Sequence, residues 1–158
     1  MIEFDVHIKS GDLYDYMMRH TYNSFAGLLG SVIGAILVVA GIYSNNYLMI
    51  GGGVLLLCYL PWTLFIKSKQ QMLSNPAFTK PLHYVLDEEG IKVSQDGVEE
   101  MQKWEDIVKA VSTNRSIIVY TSSVNACIFP KRDLGEYTAQ VIQVLSVHLP
   151  AKKVKIKQ

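Results

Sequence analysis

Residues 26–66 read AGLLGSVIGAILVVAGIY, then SNN, then YLMIGGGVLLLCYLPWTLFI, and no charged side chain interrupts them. A helix rises about 1.5 Å per residue, so about 20 apolar residues cross a hydrocarbon core of about 30 Å. Phe25 to Tyr43 makes one such span and Tyr47 to Ile66 a second. Ser44, Asn45 and Asn46 are turn formers, enough to reverse the chain and too few to fold separately. The two helices are therefore expected as antiparallel neighbours, a transmembrane hairpin over residues 24–66. A helix buried in a soluble protein shows a polar stripe, and neither segment has one.

The flanks set an expected orientation. The SNN turn carries no Lys or Arg, whereas Lys9, Arg19 and His20 precede the first span and Lys67, Lys69 and Lys80 follow the second. The positive-inside rule places both termini in the cytoplasm and the turn outside. Tyr22, Phe25, Tyr43, Tyr47, Tyr59 and Trp62 stand near span ends, where amphipathic rings settle. Gly27, Gly34 and Gly41 recur every seven residues, and Ala26, Gly30 and Gly34 every four. Gly51, Gly52 and Gly53 lie in the second helix. Such small residues let helix backbones approach closely, within the hairpin or in a seam between two copies of the chain. Pro61 is expected to kink the second helix. With no charged side chain in either span, a proton relay or ion path is not expected.

The hairpin leaves enough of the 158 residues for one small soluble domain. The formal charge is +1. Residues 1–23 hold four acids (Glu3, Asp5, Asp12, Asp15) against two bases, while residues 151–158 hold Lys152, Lys153, Lys155 and Lys157 and no acid. The two cysteines, Cys58 and Cys127, fit neither a zinc nor a disulfide pattern. The first 23 residues lack the apolar core of a cleavable signal, so the first span is expected to act as the targeting signal.

Ahead of the hairpin, Met1 to Lys9 alternates Ile2, Phe4, Val6, Ile8 with Glu3, Asp5, His7, the pattern of a half-buried strand. A lone strand needs a partner, so it is expected to join the sheet formed after the hairpin. Ser10 reads as the N-cap of an amphipathic helix over 11–22, lying along the interface or packed on the soluble domain. Residues 67–81 read as a stalk ended by Asn75-Pro76. From Leu82 onward, short alternating runs predict strands at 83–86, 91–94, 98–104, 107–112, 116–121 and 125–129, with Asp96-Gly97 as a hairpin turn. Leu134, Tyr137, Val141, Val144, Leu145 and His148 then line one face of a helix of about 15 residues, with Asp133 as N-cap and Pro150 as stop. The predicted fold class is an α+β membrane protein. A two-helix transmembrane hairpin carries an antiparallel meander of six strands, seven with residues 1–9, curled into a half-open barrel over 82–150. A C-terminal amphipathic helix caps the barrel, and a basic tail follows over 151–158. This is the logic of a pleckstrin-homology-like domain.

The ordered set formed by the N-terminal strand, the tight hairpin, Tyr84, Asp87-Glu88-Glu89-Gly90-Ile91, Trp104-Glu105-Asp106-Ile107 and Ile128-Phe129-Pro130-Lys131-Arg132 resembles the YcxB-like family of bacterial membrane proteins. The resemblance covers most of the chain. It implies a pleckstrin-homology-like soluble part in the bacterial cytoplasmic membrane and lends no catalytic residue.

No reaction is legible in the residues. His7, His20, His83 and His148 are scattered without metal-ligand spacing, and Asp87, Glu88, Glu89, Glu99, Glu100, Glu105 and Asp106 fall in turns and strand ends. Ser122 and Ser123 lack a nucleophile-elbow context. Trp104 reads as a core anchor. An enzyme, a cofactor, a metal and nucleic acid as a partner are not expected. The candidate contacts to anionic lipid or to a protein partner are Arg19, Lys67, Lys69, Lys131, Arg132, Lys152, Lys153 and Lys155. Near an anionic leaflet each such cation contributes about 1 kcal/mol. The expected function is a membrane-anchored binding or regulatory module. The alternative is an immunity protein that binds a toxin at the membrane.

Overall fold

The computed structural model describes residues 1–123 and 125–156. Lys157 of the basic tail therefore lies outside the described residues. Strand β1 (Ile2–Val6) leads into helix α1 (Ser10–Tyr22), and two long helices follow, α2 (Phe25–Tyr43) and α3 (Tyr47–Ser74). Ser24 caps α2 by accepting from the Gly27 N–H, and the Asn46 side chain accepts from the Leu48 and Met49 N–H groups at the start of α3. Asn45 between them takes φ 50°, a left-handed conformation Asn tolerates, which closes the tight reversal. Both helices are long and apolar enough to cross a membrane, with mean hydropathies of 2.4 and 1.9 over their most apolar windows. Only 17% and 11% of those windows are buried, so their apolar side chains point mostly outward. Helix α3 runs past Ile66 to Ser74, the expected stalk, and Asn75 ends it by capping the 3-10 turn Pro76–Phe78.

The soluble strands form two four-stranded sheets. The first is ordered β1, β2 (Leu82–Leu86), β3 (Gly90–Gln95), β4 (Val98–Lys103), all antiparallel. The N-terminal strand joins it as expected, pairing Ile2 with Leu86 and Val6 with Leu82. The second is ordered β7 (Ala126–Pro130), β6 (Ser116–Tyr120), β5 (Lys109–Ser112), β8 (Val154–Lys155). Asp96 and Gly97, at φ 52° and 81°, make the β3–β4 turn, where both central residues need positive φ.

Three expectations are corrected. The meander is broken in two between β4 and β5. Trp104–Asp106 forms a 3-10 turn, and Trp104 and Ile107 leave the ladder to bury themselves between the sheets. The Trp104 indole N–H donates to the Asp87 carbonyl at 3.0 Å and its ring stacks on His148 at 4.8 Å, so the core-anchor reading holds. Second, the C-terminal helix is two pieces, α4 (Lys131–Leu134) and α5 (Tyr137–His148), separated by Gly135 at φ 50°. Asp133 is not its N-cap, because its carboxylate accepts the His7 N–H and pairs with Arg132. Third, part of the tail is a strand: β8 runs parallel to β5 and covers that sheet edge. Among the described residues, the larger of two core clusters joins both sheets, α1 and α5, and the smaller, Val111, Ile118 and Tyr120, lies under Tyr16 of α1. At the centre of the larger, Phe129 meets Phe4 and Tyr84 edge to face, with ring centroids 5.3 and 4.9 Å apart.

Candidate functional site

Helix α1 decides where the cations go. Its N-cap is Lys9 rather than Ser10, because the Asp12 carboxylate reaches back to the Lys9 N–H at 2.8 Å. Asp12 and Leu13 are buried and Tyr16 packs on Tyr120, so α1 lies on the soluble unit. Its Tyr14 also meets Phe65 of α3 edge to face. Of the two positions the amphipathic pattern left open, packing on the domain is the one adopted. The lock is ionic. The Arg132 guanidinium grips Asp12 with two bonds of 2.8 Å, donates to the His7 carbonyl at 2.5 Å and sits 3.0 Å from Asp133. Hydrogen bonding to Asp12 raises the Arg132 pKa further.

The eight basic candidates thus divide. Arg132 is committed to the α1–α4 lock. Lys153 donates to the Ile107 carbonyl at 2.6 Å, where it fastens the tail to the core. Lys67, Lys69 and Lys152 are exposed, Lys69 lying over the Phe65 ring at 4.6 Å. Arg19, Lys131 and Lys155, distant in sequence, come together. They line one groove of about 960 Å³ with Asp15, Met18, Ser112, Thr113, Asn114 and Ile156. It lies between α1, the β5–β6 turn, the start of α4, and β8.

The lining is partly fixed before any ligand arrives. Thr113 Oγ1 donates to Asp15 at 2.6 Å, which occupies the groove's one carboxylate. Lys131 Nζ donates to the Thr113 carbonyl at 2.7 Å, which holds its charge at the groove wall. Neither Arg19 nor Lys155 has an ion pair among the described residues, and Arg19 Nε is buried with no hydrogen-bond partner. Burial raises the Tyr120 pKa and the nearby Arg19 charge opposes the shift.

A second opening, of about 580 Å³, enters between the sheets. Tyr84 and Cys127 line it. Burial carries the Tyr84 pKa well above its usual value and the Cys127 thiol to about 11. Among the described residues no three His, Cys, Asp or Glu side chains gather as metal ligands. His83 instead pairs with Asp5 across the β1–β2 register at 2.7 Å.

The glycines also divide. A Cβ on Gly53 would stand 2.7 Å from the Gly34 carbonyl oxygen, and one on Gly41 would stand 2.8 Å from the Ile50 nitrogen. Gly27 meets the Thr21 carbonyl, which presses the end of α1 against the start of α2. Gly34 faces Leu57 and Gly30 has only Leu60 nearby, while Gly51 and Gly52 face open space. Gly27, Gly34, Gly41 and Gly53 thus serve packing inside the chain. Sequence spacing located the glycine stripe, but it could not group Arg19, Lys131 and Lys155. Their proximity depends on α1 folding back and on β8, whose pairing with β5 has no short-range signal.

No curated protein and no solved structure matches the chain significantly. Residues 86–145, from the end of β2 through most of α5, match the family model described as YcxB-like protein.

Proposed function

We propose that the chain is a membrane-anchored binding or regulatory module without catalytic activity. In this reading α2 and the apolar part of α3 anchor it in the bacterial cytoplasmic membrane, with both termini in the cytoplasm. The soluble unit is a pleckstrin-homology-like half barrel that recognises a protein or anionic lipid at the membrane face. One observation carries the reading: two outward-facing apolar helices follow directly on α1, whose last turn brings Arg19 into a cation-lined groove of the folded unit. The topology supports the half-barrel assignment, since four consecutive strands form one sheet, the next three the other, and a C-terminal helix packs on the core. The absence of Lys and Arg from residues 44–46 supports the orientation.

Reporter fusions test this. Green fluorescent protein at either terminus should fluoresce, and alkaline phosphatase inserted at 44–46 should be active. An active phosphatase at the C-terminus would overturn the orientation and with it the cytoplasmic module.

A further inference from the structure

We propose that the groove between α1, the β5–β6 turn and β8 is a headgroup site for an anionic phospholipid of the adjoining leaflet. The proposal rests on the membrane-anchored reading and specifies its ligand. Three cations, Arg19, Lys131 and Lys155, face one carboxylate, Asp15, and that carboxylate is already engaged by Thr113. Arg19 and Lys155 have no anionic partner among the described residues, and Lys131 is held in place by the Thr113 carbonyl. An Arg fork and two ammonium groups converging on one opening suit a phosphate ester. The Ser112 and Asn114 side chains add polar groups that suit the glycerol or sugar part of a headgroup.

Position favours a lipid over a soluble phosphate ester. Arg19 is in the last turn of α1, and Thr21, two residues on, abuts Gly27 of the first apolar helix. The groove therefore opens beside the point where the chain leaves the soluble unit for the apolar hairpin. Met18 and Ile156 give it an apolar rim. A phosphate there would satisfy the unpaired cations while its acyl chains lie along α2 and α3.

The test uses the full chain in nanodiscs of equal phosphatidylglycerol and phosphatidylcholine, with native mass spectrometry of the lipids retained on release. The wild type should retain phosphatidylglycerol preferentially. Arg19→Gln and Lys155→Gln should each lower the preference about fivefold, and the double variant should bring it near parity. Lys103→Gln, an exposed cation on β4, should leave it unchanged. Lys155→Gln alters only an exposed side chain, so it tests the site even if Arg19→Gln perturbs folding. Unchanged preference in the double variant overturns the proposal, and so does an equal loss in Lys103→Gln. Tight binding of soluble glycerol phosphate overturns the choice of a lipid, and retention of an acidic protein in place of lipid overturns it likewise. Alkaline carbonate extraction separates the two levels. A chain that resists extraction keeps the anchored reading whatever the lipid result, whereas an extracted wild type loses both.

Discussion

Asp12 shows how one side chain can set the posture of a whole element. It accepts the Lys9 N–H at the start of α1 and both arms of Arg132 from α4, and it is almost completely buried. Asp12→Asn would strip the half-enclosed guanidinium of its buried counter-charge and leave it Asp133 alone. We expect a loss of about 2–4 kcal/mol, somewhat below the cost for a fully enclosed pair because the Arg132 side chain is 35% exposed. Thermal unfolding in detergent measures it, and Asp12→Leu with Arg132→Met should recover part of the loss. Asp87 provides a pH signature. Its bond to Lys92 at 2.7 Å, aided by the Glu89 and Gly90 N–H groups, holds its carboxyl below the usual 3.8. A depressed carboxylate adds stability above the unfolded value, and that stability is lost as pH falls through the folded one. The advantage of wild type over Asp87→Asn in unfolding midpoint should therefore hold at neutral pH and shrink progressively as the pH falls below about 5. Cys127, raised to about 11 by burial, should react with maleimide at pH 8 far more slowly than an unfolded cysteine, which labelling kinetics would show.

At the scale of elements, the glycines separate packing from permissiveness. Gly53→Ala drives a methyl into the Gly34 carbonyl and the Val38 backbone, which a helix pair cannot easily yield. We expect it to cost about 1–3 kcal/mol, as overpacking does in cores. Gly51→Ala and Gly52→Ala meet nothing and should be neutral or gain up to about 1 kcal/mol from helix propensity. Heat-induced loss of the helical signal in detergent ranks the three. The elements themselves were largely legible. Periodicity located α2, β2, β3, β4, β6 and β7 to within a residue or two, because apolar runs and the Asp96-Gly97 turn are local signals, whereas the N-terminal strand ends at Val6 rather than Lys9 and α3 runs on from Ile66 to Ser74. It failed at Trp104 and Ile107, whose place in an alternating run hid that both leave the ladder for the core. It also failed at Gly135, where a left-handed residue divides a helix that the apolar face alone makes continuous.

For the whole molecule, the consequence is that the soluble unit is not a contiguous piece of chain. Phe4, Val6, Ile8 and Leu13 are buried in the same core as Tyr84 and Phe129, although the apolar hairpin intervenes in sequence. Each contributes about 1.5–3 kcal/mol on burial, a sum comparable with the net stability of a small domain. Residues 82–156 expressed alone should therefore fail to show a cooperative unfolding transition. Fusing residues 1–22 ahead of them through a flexible linker should restore it, as calorimetry would reveal. Local sequence is enough for the two apolar helices, the reversal between them and the alternation of the strands, the first one included. Each of these is written in neighbouring residues, through hydropathy, periodicity or turn chemistry. Long-range folding alone pairs the first strand with the sheet beyond the hairpin, packs α1 on the soluble unit, spends Arg132 and Lys153 on holding it together, and gathers Arg19, Lys131 and Lys155 in one groove. Those outcomes depend on which distant groups are brought within a few ångströms and which are satisfied there, and a linear pattern carries no record of either.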